Sequence, residues 1–389
     1  MRSRGEPVAG LALYLHIPFC ARKCRYCAFV SHPLAGGGAG KALVRDYLRA
    51  LRREINTAAS LAGRRVLASI YFGGGTPTLL DPSDLVSLLE MIREHFDWSD
   101  EIEITVEANP GTVSADGLRL LRDAGVNRLS IGAQSFNQEE LELLGRIHGA
   151  AEIYSAFYAA REAGFDNLSL DLIYGIPGQT PAGWRAVLEE AVALHPEHLS
   201  VYGLSLEEGT PLAEEVAGGR LQACPEETQV AMWEITGSFL KGAGYERYEI
   251  ANFALPGRQC RHNLTYWLNR PYLGIGAAAH GYFNGIRYAN HGDLKRYIED
   301  SLRGRLPRAR EEHQTPEQER TDTVIMGLRL TRGLSRSAFR RRFGYPFEDV
   351  FGEQLAVLEQ EGLMGENDEF IYLTERGRLL ANYVLAHFV

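Results

Sequence analysis

The sequence predicts an α/β protein made of a partial (β/α)6 barrel and a smaller C-terminal α+β or helical module with a winged-helix-like pattern. Strand-like and helix-like stretches alternate six times up to about residue 202, and repeated βα units favour a parallel sheet or barrel. About 200 residues carry this alternation, whereas a closed eightfold barrel typically needs roughly 250. We therefore predict an open barrel, and a different architecture beyond residue 203.

The barrel elements are predicted from the alternation of short apolar runs with longer helical patterns. The six strands are predicted at Leu11–His16, Leu67–Phe72, Glu101–Glu107, Arg128–Ile131, Leu168–Leu172 and His198–Tyr202. The helices between them are predicted at Val44–Ala59, Pro82–His95, Ser114–Ala124, Ala150–Ala163 and Pro181–Leu194. Before the first helix, the glycine-rich segment Pro33–Lys41 is predicted to be a flexible loop.

The second half of the chain has a different pattern. It is predicted to contain a turn at Glu207–Thr210, a helix at Pro225–Gly242 and an aromatic, extended segment at Tyr245–Phe253. The last part, Pro316–Val389, is predicted to hold three or four helices and a short strand, Phe370–Leu373. These changes divide the chain into a barrel at 1–205, an extension at 206–310 and a C-terminal module at 311–389.

Composition excludes several classes of protein. Hydrophobic residues make up 45% and charged residues 23% of the 389 residues, which excludes a disordered chain. The net charge of −9 argues against a nucleic-acid partner, and the run Arg340–Arg342 is interpreted as a solvated helix face. No apolar run reaches the roughly 18 to 20 residues of a spanning helix, and Met1–Gly10 lacks the apolar core of a secretory signal. We expect a cytoplasmic protein without direct membrane insertion.

Three of the five cysteines form the cluster Cys20-x3-Cys24-x2-Cys27, directly after the first predicted strand. Thiolates at this spacing are soft ligands for an iron–sulfur cluster or for zinc. A cube held by three cysteines leaves one iron without a protein ligand, and that iron can accept an external chelating group.

Zinc remains open as an alternative at this point. Structural zinc normally takes four protein ligands, often as paired CxxC units, and the other two cysteines, Cys224 and Cys260, are isolated. His16 or His32 would have to complete the zinc site.

The segment from Tyr14 to Phe29 (YLHIPFC-x3-C-x-YC-x-F) resembles the cluster loop of radical S-adenosyl-L-methionine (SAM) proteins. It is most similar to the branch that contains oxygen-independent coproporphyrinogen III dehydrogenases and heme chaperones of the HemW type. The resemblance implies a radical SAM barrel with a 4Fe–4S cluster on Cys20, Cys24 and Cys27, and with SAM on the open iron. It leaves open whether the protein cleaves SAM as an enzyme.

Further motifs follow in the order of that superfamily. Gly73–Pro77 (GGGTP) follows the second strand, and single polar residues follow or lie in the next strands. By resemblance, the SAM contacts are Tyr14, Gly74, Gly75, Thr76, Glu107, Gln134, Arg146 and Asp171. Their chemistry is suitable, because Arg146 matches the SAM carboxylate while Glu107 and Asp171 match its cationic or hydroxyl groups.

Two departures distinguish the chain from coproporphyrinogen dehydrogenases. Those proteins carry a further cysteine where this chain has Phe29, and they carry an N-terminal extension for which 19 residues before Cys20 leave no room. In addition, His262–Trp267 (HNLTYW) matches the HNxxYW motif that HemW-type proteins associate with heme. His262 is therefore the candidate heme residue, with His280 and His291 as competing ligands, and the sequence has no CxxCH motif for covalent attachment.

The resemblance thus implies a heme chaperone of porphyrin metabolism that binds a 4Fe–4S cluster, SAM and heme. Its expected partners are a heme-acceptor protein, such as a membrane-bound respiratory enzyme, and an electron donor, and its expected state is a monomer or a weak dimer. The first alternative is a radical SAM enzyme, either coproporphyrinogen III oxidase-like or a methyltransferase that uses two SAM molecules. The second is a zinc-stabilised or nucleic-acid-binding protein.

Overall fold

The computed structural model describes residues 10–34 and 37–389, and it places the predicted barrel strands and helices in the predicted order. The strands of this part are β1 (Leu11–Ile17), β2 (Phe19–Cys20), β3 (His32–Pro33), β4 (Val66–Gly74), β5 (Asp97–Ala108), β6 (Arg128–Gln134), β7 (Leu168–Tyr174) and β8 (His198–Gly203). The helices are α1 (Gly38–Ala62), α2 (Pro82–His95), α3 (Ala115–Asp123), α4 (Gln138–Leu143), α5 (Ala150–Glu162) and α6 (Pro181–Ala193).

Local sequence signals set where these helices begin. The side chains of Asp81, Ser114 and Thr180 cap α2, α3 and α6 by accepting hydrogen bonds from backbone N–H groups of the first turn. Proline follows the cap in α2 and α6, where its missing N–H costs nothing. The start of each of these helices is therefore set by residues next to it in the chain, and the connections stay short.

Six parallel strands form the barrel sheet in the order β1-β4-β5-β6-β7-β8. Their apolar side chains are buried against the helices; Ile70, Val106 and Leu170 are fully or almost fully inaccessible to solvent. Because all six strands run the same way, their carboxyl ends meet at one edge, which is where ligands of such sheets bind.

The extension adds strands to both edges of this sheet. Its elements are α7 (Pro211–Ala217), α8 (Glu226–Gly242), β9 (Glu246–Arg247), β10 (Asn252–Ala254), α9 (Arg261–Trp267), β11 (Tyr272–Ile275), β12 (His280–Phe283), β13 (Ile286–Asn290), α10 (Leu294–Leu302) and β14 (Arg308–His313). β11 pairs in parallel with β1, while β12, β13 and β14 continue the sheet antiparallel. On the other side, β10 and β9 add an antiparallel hairpin to β8. The twelve-stranded sheet runs from β14 to β9 without closing, in agreement with the predicted open barrel.

Some predictions for these regions were wrong or incomplete. The glycine-rich segment is shorter than predicted, because α1 already begins at Gly38 and includes Lys41; residues 35 and 36 lie outside the described residues. The prediction that Met1–Gly10 is not a secretory signal concerns residues that, apart from Gly10, also lie outside the described residues. The parallel strand β11 was not predicted, because its four residues, Tyr272–Ile275, are followed by a turn rather than by a crossover helix.

The C-terminal module has a winged-helix arrangement. Its elements are α11 (Pro316–Gly327), β15 (Leu334–Ser335), α12 (Arg336–Phe343), α13 (Glu348–Gln360), β16 (Met364–Glu366), β17 (Phe370–Leu373), α14 (Glu375–Leu379) and α15 (Ala381–Leu385). The predicted strand Phe370–Leu373 is confirmed, and it is the central strand of a three-stranded sheet. The module has its own aromatic core around Phe339, Phe347 and Phe351. No helix within the described ranges is both long and apolar enough to cross a membrane.

Candidate metal and cofactor site

One cavity of about 600 Å³ opens at the carboxyl ends of the barrel strands and reaches down into the sheet. Twelve of the residues that the sequence nominated line it: Tyr14, Cys20, Cys24, Cys27, Gly74, Gly75, Thr76, Glu107, Gln134, Arg146, Asp171 and His262. Residues that lie up to 248 positions apart along the chain are therefore brought to a single cavity surface.

The cysteine loop connects β1 to α1 and is held by backbone hydrogen bonds at its base. His32 N–H donates to the Pro18 carbonyl at 2.7 Å, and Leu34 N–H donates to the Cys20 carbonyl at 2.9 Å. His16 Nε2 lies 3.1 Å from the Val30 carbonyl; since a carbonyl can only accept, this nitrogen carries the proton. The loop is therefore fixed at both ends, with a further contact at Val30, two residues before His32.

The three loop cysteines are free thiols, and each is partly exposed. The Thr76 hydroxyl donates to Cys20 Sγ at 3.7 Å, and Arg146 Nη1 donates to Cys24 Sγ at 3.2 Å. Burial raises the pKa of Cys27, and the neighbouring Cys24 and Cys20 thiols raise it further. A guanidinium beside a thiolate stabilises the charged form that ligates metal.

The arrangement of the thiols is suited to a cluster. Among the described residues, no group of three or more His, Cys, Asp or Glu side chains is placed to hold a single metal ion. A cube has different requirements, because each cysteine binds a different iron and the thiolates surround the metal centre instead of meeting at one point. Three thiols with donors to two sulfurs fit that requirement.

The glycine motif after β4 packs directly against the cysteine loop. Gly75 N–H donates to the Ile17 carbonyl at 2.8 Å, and Thr76 N–H donates to the Phe19 carbonyl at 2.7 Å. Gly74 has a φ of +111°, and a Cβ placed there would lie 2.5 Å from His16 Cε1. Only glycine allows this backbone to approach the loop so closely.

Two partly buried carboxyl groups, those of Glu107 and Asp171, line the cavity. Glu107 accepts hydrogen bonds from the Tyr71 hydroxyl at 2.8 Å and from Gly74 N–H at 3.0 Å. Burial raises its pKa to about 7, and the charge of Asp171 is the next cause. Burial also raises the pKa of Asp171, which accepts from Ser130 Oγ at 3.1 Å. A ligand with positive charge or hydroxyl donors would stabilise the ionised form of both groups.

Two further site residues carry features that suit an anionic or polar ligand group. Arg146 is held by the Gly132 carbonyl at 2.9 Å and by the Asn109 side chain, so its guanidinium is oriented before any ligand arrives. Gln134 has a φ of +68°, an unfavourable backbone conformation for a residue other than glycine. Such strain concentrates at ligand sites. Tyr14 also lines the cavity, and its hydroxyl lies 3.0 Å from His16 Nδ1.

His262 lies on the cavity wall within the short helix α9. Both of its ring nitrogens are engaged: Nδ1 lies 2.9 Å from Ser69 Oγ, and Nε2 lies 2.7 Å from the Tyr266 hydroxyl. Burial, and then the charge of Arg128, lowers the pKa of His262 to about 3. The imidazole is therefore neutral, but neither nitrogen is free for an iron in this arrangement, and its role as a heme ligand stays a prediction.

The competing candidates lie outside this cavity. His280 is exposed at the start of β12, and His291 is almost buried, with Nε2 3.7 Å from Asp300. Cys260 is fully buried and donates to Glu103 Oε1 at 3.4 Å. Burial raises its pKa to about 12, so this thiol is protonated and structural.

Sequence reasoning missed several cavity residues, among them Tyr71, Asn109, Ser130, Ser200 and Tyr202. Ser200 and Tyr202 lie in β8, the one barrel strand to which no site residue had been assigned. Because alternate residues of a strand share a face, the spacing of Ser200 and Tyr202 is the signal that could have placed both toward the barrel interior.

Comparisons with known proteins show which family the chain resembles over nearly its whole length. The model of the radical SAM superfamily matches residues 14–191, and the model of the HemN C-terminal domain matches residues 314–380. The heme chaperone HemW of Bacillus subtilis is 39% identical over 377 residues, which are 97% of this chain and 98% of that protein. The heme chaperone HemW of Escherichia coli is 35% identical over 386 residues, again 97% of this chain and 98% of that protein. Among solved structures, coproporphyrinogen III oxidase (HemN) of Escherichia coli, described as a radical SAM enzyme, has a TM-score of 0.84 at 29% identity and covers 99% of this chain and 91% of its own.

Proposed function

Since the chain belongs to the radical SAM superfamily and, within it, to the family of the heme chaperone HemW, we propose that it is a heme chaperone. It carries a 4Fe–4S cluster and SAM, binds heme and delivers the heme to an acceptor protein. The observation that carries this proposal is the likeness to HemW proteins over 97% of the chain. The gathering of the nominated residues around one cavity supports it.

Cys20, Cys24 and Cys27 are proposed as the cluster ligands. The hydrogen bonds at the base of the loop hold the thiols in place before metal arrives, and Arg146 stabilises a thiolate at Cys24. When bound, the cluster supplies a one-electron reductant beside SAM. Free thiols of this kind persist in a reducing compartment, so we place the protein in the cytoplasm.

The proposed SAM site is the upper part of the same cavity. Arg146 pairs with the SAM carboxylate, and Glu107 and Asp171 receive its ammonium or ribose hydroxyl groups. The two carboxyl groups support this assignment, because burial raises the pKa of both, the charge of Asp171 raises that of Glu107 further, and a cationic ligand favours their ionised forms. The other proposed contacts are Tyr14, Gly74, Gly75, Thr76 and Gln134.

Heme binding is proposed for the extension, 206–310, while the barrel, 1–205, holds the cluster and SAM, and 311–389 forms the C-terminal module. His262 belongs to the heme-associated motif and is proposed to contact heme; ligation by it requires that the hydrogen bond to Tyr266 be given up. The acceptor is proposed to be a hemoprotein such as a membrane-bound respiratory enzyme, and an electron donor serves the cluster.

A second candidate function is a radical SAM enzyme that acts on a porphyrinogen. The full-length similarity to the HemN structure favours it. The residue after the cluster loop argues against it, since Phe29 is 69% exposed where coproporphyrinogen dehydrogenases carry a further cysteine. The two functions differ in turnover, because the enzyme forms 5′-deoxyadenosine continuously with its substrate.

The direct test is a heme titration by absorbance on anaerobically reconstituted protein with SAM present. Saturable binding of one heme per chain, without sustained 5′-deoxyadenosine formation from coproporphyrinogen, is the expected result. Absence of saturable binding would contradict the chaperone, and continuous turnover of coproporphyrinogen would support the enzyme instead.

The cluster ligands are tested in parallel by iron and sulfide analysis. Cys24→Ala should lose most of the iron. Cys224→Ala is the matched control, because Cys224 is buried and lies outside the cavity. Equal iron contents in the two variants would contradict the ligand assignment.

A further inference from the structure

A second concave surface, a groove of about 740 Å³, lies along helix α1; we call it the α1 groove. Ala21 and Leu34 of the cysteine loop line it, together with Leu79 and Leu80 from the connection between β4 and α2. The α1 groove and the cofactor cavity have no lining residue in common. The cysteine loop therefore borders two separate concave surfaces.

Four cations of α1 line this groove: Lys41, Arg45, Arg49 and Arg52. They are spaced three or four positions apart, so they share one face of the helix, along a rise of about 16 Å. Lys41 is exposed, and its ammonium group makes no hydrogen bond or ion pair with any residue that the structure describes. On a chain with a net charge of −9, this face is a local concentration of positive charge.

The acidic groups near the groove neutralise these cations only in part. Asp46 lies 3.7 Å from Arg45 Nε and 3.7 Å from Arg49 Nη1, and the two arginine side chains are 71% and 65% exposed, so both ion pairs are weak. Two carboxylates line the groove: Asp81 caps α2, and burial raises the pKa of Asp84. Four lining cations against two lining carboxylates leave the groove positive, and an acidic partner fits it.

Short covalent and hydrogen-bonded routes connect the α1 groove to a proposed cluster ligand. Ala21 follows Cys20 in the chain, and Leu34 N–H donates to the Cys20 carbonyl at 2.9 Å. Leu79 N–H donates to the Thr76 carbonyl at 3.0 Å, and the Thr76 hydroxyl donates to Cys20 Sγ at 3.7 Å. Electron transfer between proteins slows steeply with distance, so a carrier in this groove has a short route to the cluster. SAM in the cavity leaves the groove open, because the two surfaces are separate.

We propose that the α1 groove is the docking site of the electron donor, a small acidic protein that carries a single electron. Carboxylates of the carrier pair with the cations of α1, and Leu34, Val44 and Leu79 contact its apolar side chains. One electron passes from the reduced flavin or iron–sulfur group of the carrier to the oxidised cluster, and no bond is formed or broken. The inference deepens the proposed function and depends on the cluster in it.

The test is anaerobic titration calorimetry of the full-length, cluster-reconstituted protein with two acidic carriers, a flavodoxin and a plant-type ferredoxin. Arg49→Glu should weaken binding about tenfold, because the reversed charge repels an acidic carrier. Arg53→Glu is the matched control: Arg53 is exposed on the same helix, makes the same change of charge and does not line the groove. Added salt should weaken binding and narrow the difference between the two variants.

Reduction of the cluster supplies a second readout. In stopped-flow mixing with the reduced carrier, the cluster absorbance should bleach more slowly in Arg49→Glu than in Arg53→Glu. Excess dithionite should reduce the cluster to the same extent in both variants, which shows that the cluster is intact.

Three results would overturn the inference. They are equal carrier affinities in the two variants, absence of binding of both carriers to the unaltered protein, and Arg49-dependent binding of phosphatidylglycerol vesicles in place of the carriers. The heme titration tests the proposed function separately, because neither variant alters the heme-associated motif. Failure of the docking experiment is therefore distinguishable from failure of the heme chaperone.

Discussion

The buried carboxyl group of Glu107 should make the free energy of unfolding decrease as pH rises, and Glu107→Gln should remove that decrease. Burial, followed by the charge of Asp171, raises the pKa of Glu107 from 4.5 to about 7. Between these values the folded protein holds a proton that the unfolded chain has released. The stabilising contribution is therefore complete below about pH 4.5 and is lost as pH rises through about 7.

The size of this effect follows from the two pKa values. The difference between 7 and 4.5, at about 1.36 kcal/mol per pKa unit, amounts to up to about 3 kcal/mol. The figure is an upper value, because part of the Glu107 side chain faces the cavity, where water screens its charge. For a chain of this length it corresponds to a change of at most about 4 °C in Tm.

The assay is thermal unfolding of the protein without cluster or SAM at about pH 5.5 and about pH 8. Glu107→Gln should narrow the difference in Tm between the two conditions. Glu54→Gln is the matched control: Glu54 is buried in α1, accepts a hydrogen bond from Tyr297 at 2.6 Å, and has a pKa that burial raises to about 7. Both variants should narrow the difference, but only Glu107→Gln should weaken SAM binding. If Glu107→Gln shows the same Tm difference between the two pH values as the unaltered protein, the raised pKa of Glu107 is refuted.

Three further predictions concern the cavity. Gly74→Ala should lower SAM affinity at least about tenfold, because the added Cβ would lie 2.5 Å from the His16 ring. Gly178→Ala is the control and should leave SAM affinity unchanged, since its φ is also positive, at +83°, but no atom lies within 4 Å of its Cβ. Equilibrium dialysis measures both affinities. Arg146→Gln should reduce iron retention during anaerobic gel filtration, because Cys24 loses its cationic partner; full retention would contradict that role. SAM binding to the reconstituted protein should tighten between about pH 6 and about pH 8 as Glu107 ionises, and Asp171→Asn should move the transition to lower pH.

Local signals explain what could be predicted from the sequence. The barrel strands and helices were found because each βα unit repeats the same alternation, and caps such as Asp81 with Pro82 act within a few residues. The cluster loop was found because its three cysteines are close along the chain. Confirmation of the strand Phe370–Leu373 has the same origin, in a compact apolar run.

Long-range contacts explain what could not be predicted. The partner of His262 Nδ1 is Ser69, 193 residues away, and no local pattern indicates that this hydrogen bond occupies the ring. The parallel pairing of Tyr272–Ile275 with β1 depends on a return of the chain after the whole barrel. Gly38 was placed in a loop because glycine lowers helix propensity, whereas burial of residues such as Leu48 and Leu51 along α1 stabilises the helix through its first turn.

The position of β1 between β4 and β11 has a consequence for how the protein matures. During synthesis β1 can pair early with β4, but its other edge keeps unpaired backbone groups until Tyr272–Ile275 has left the ribosome. An open edge of this kind invites pairing with other chains, and contacts so distant along the chain form slowly. The strand that leads into the cysteine loop is thus completed late, after most of the chain has been made.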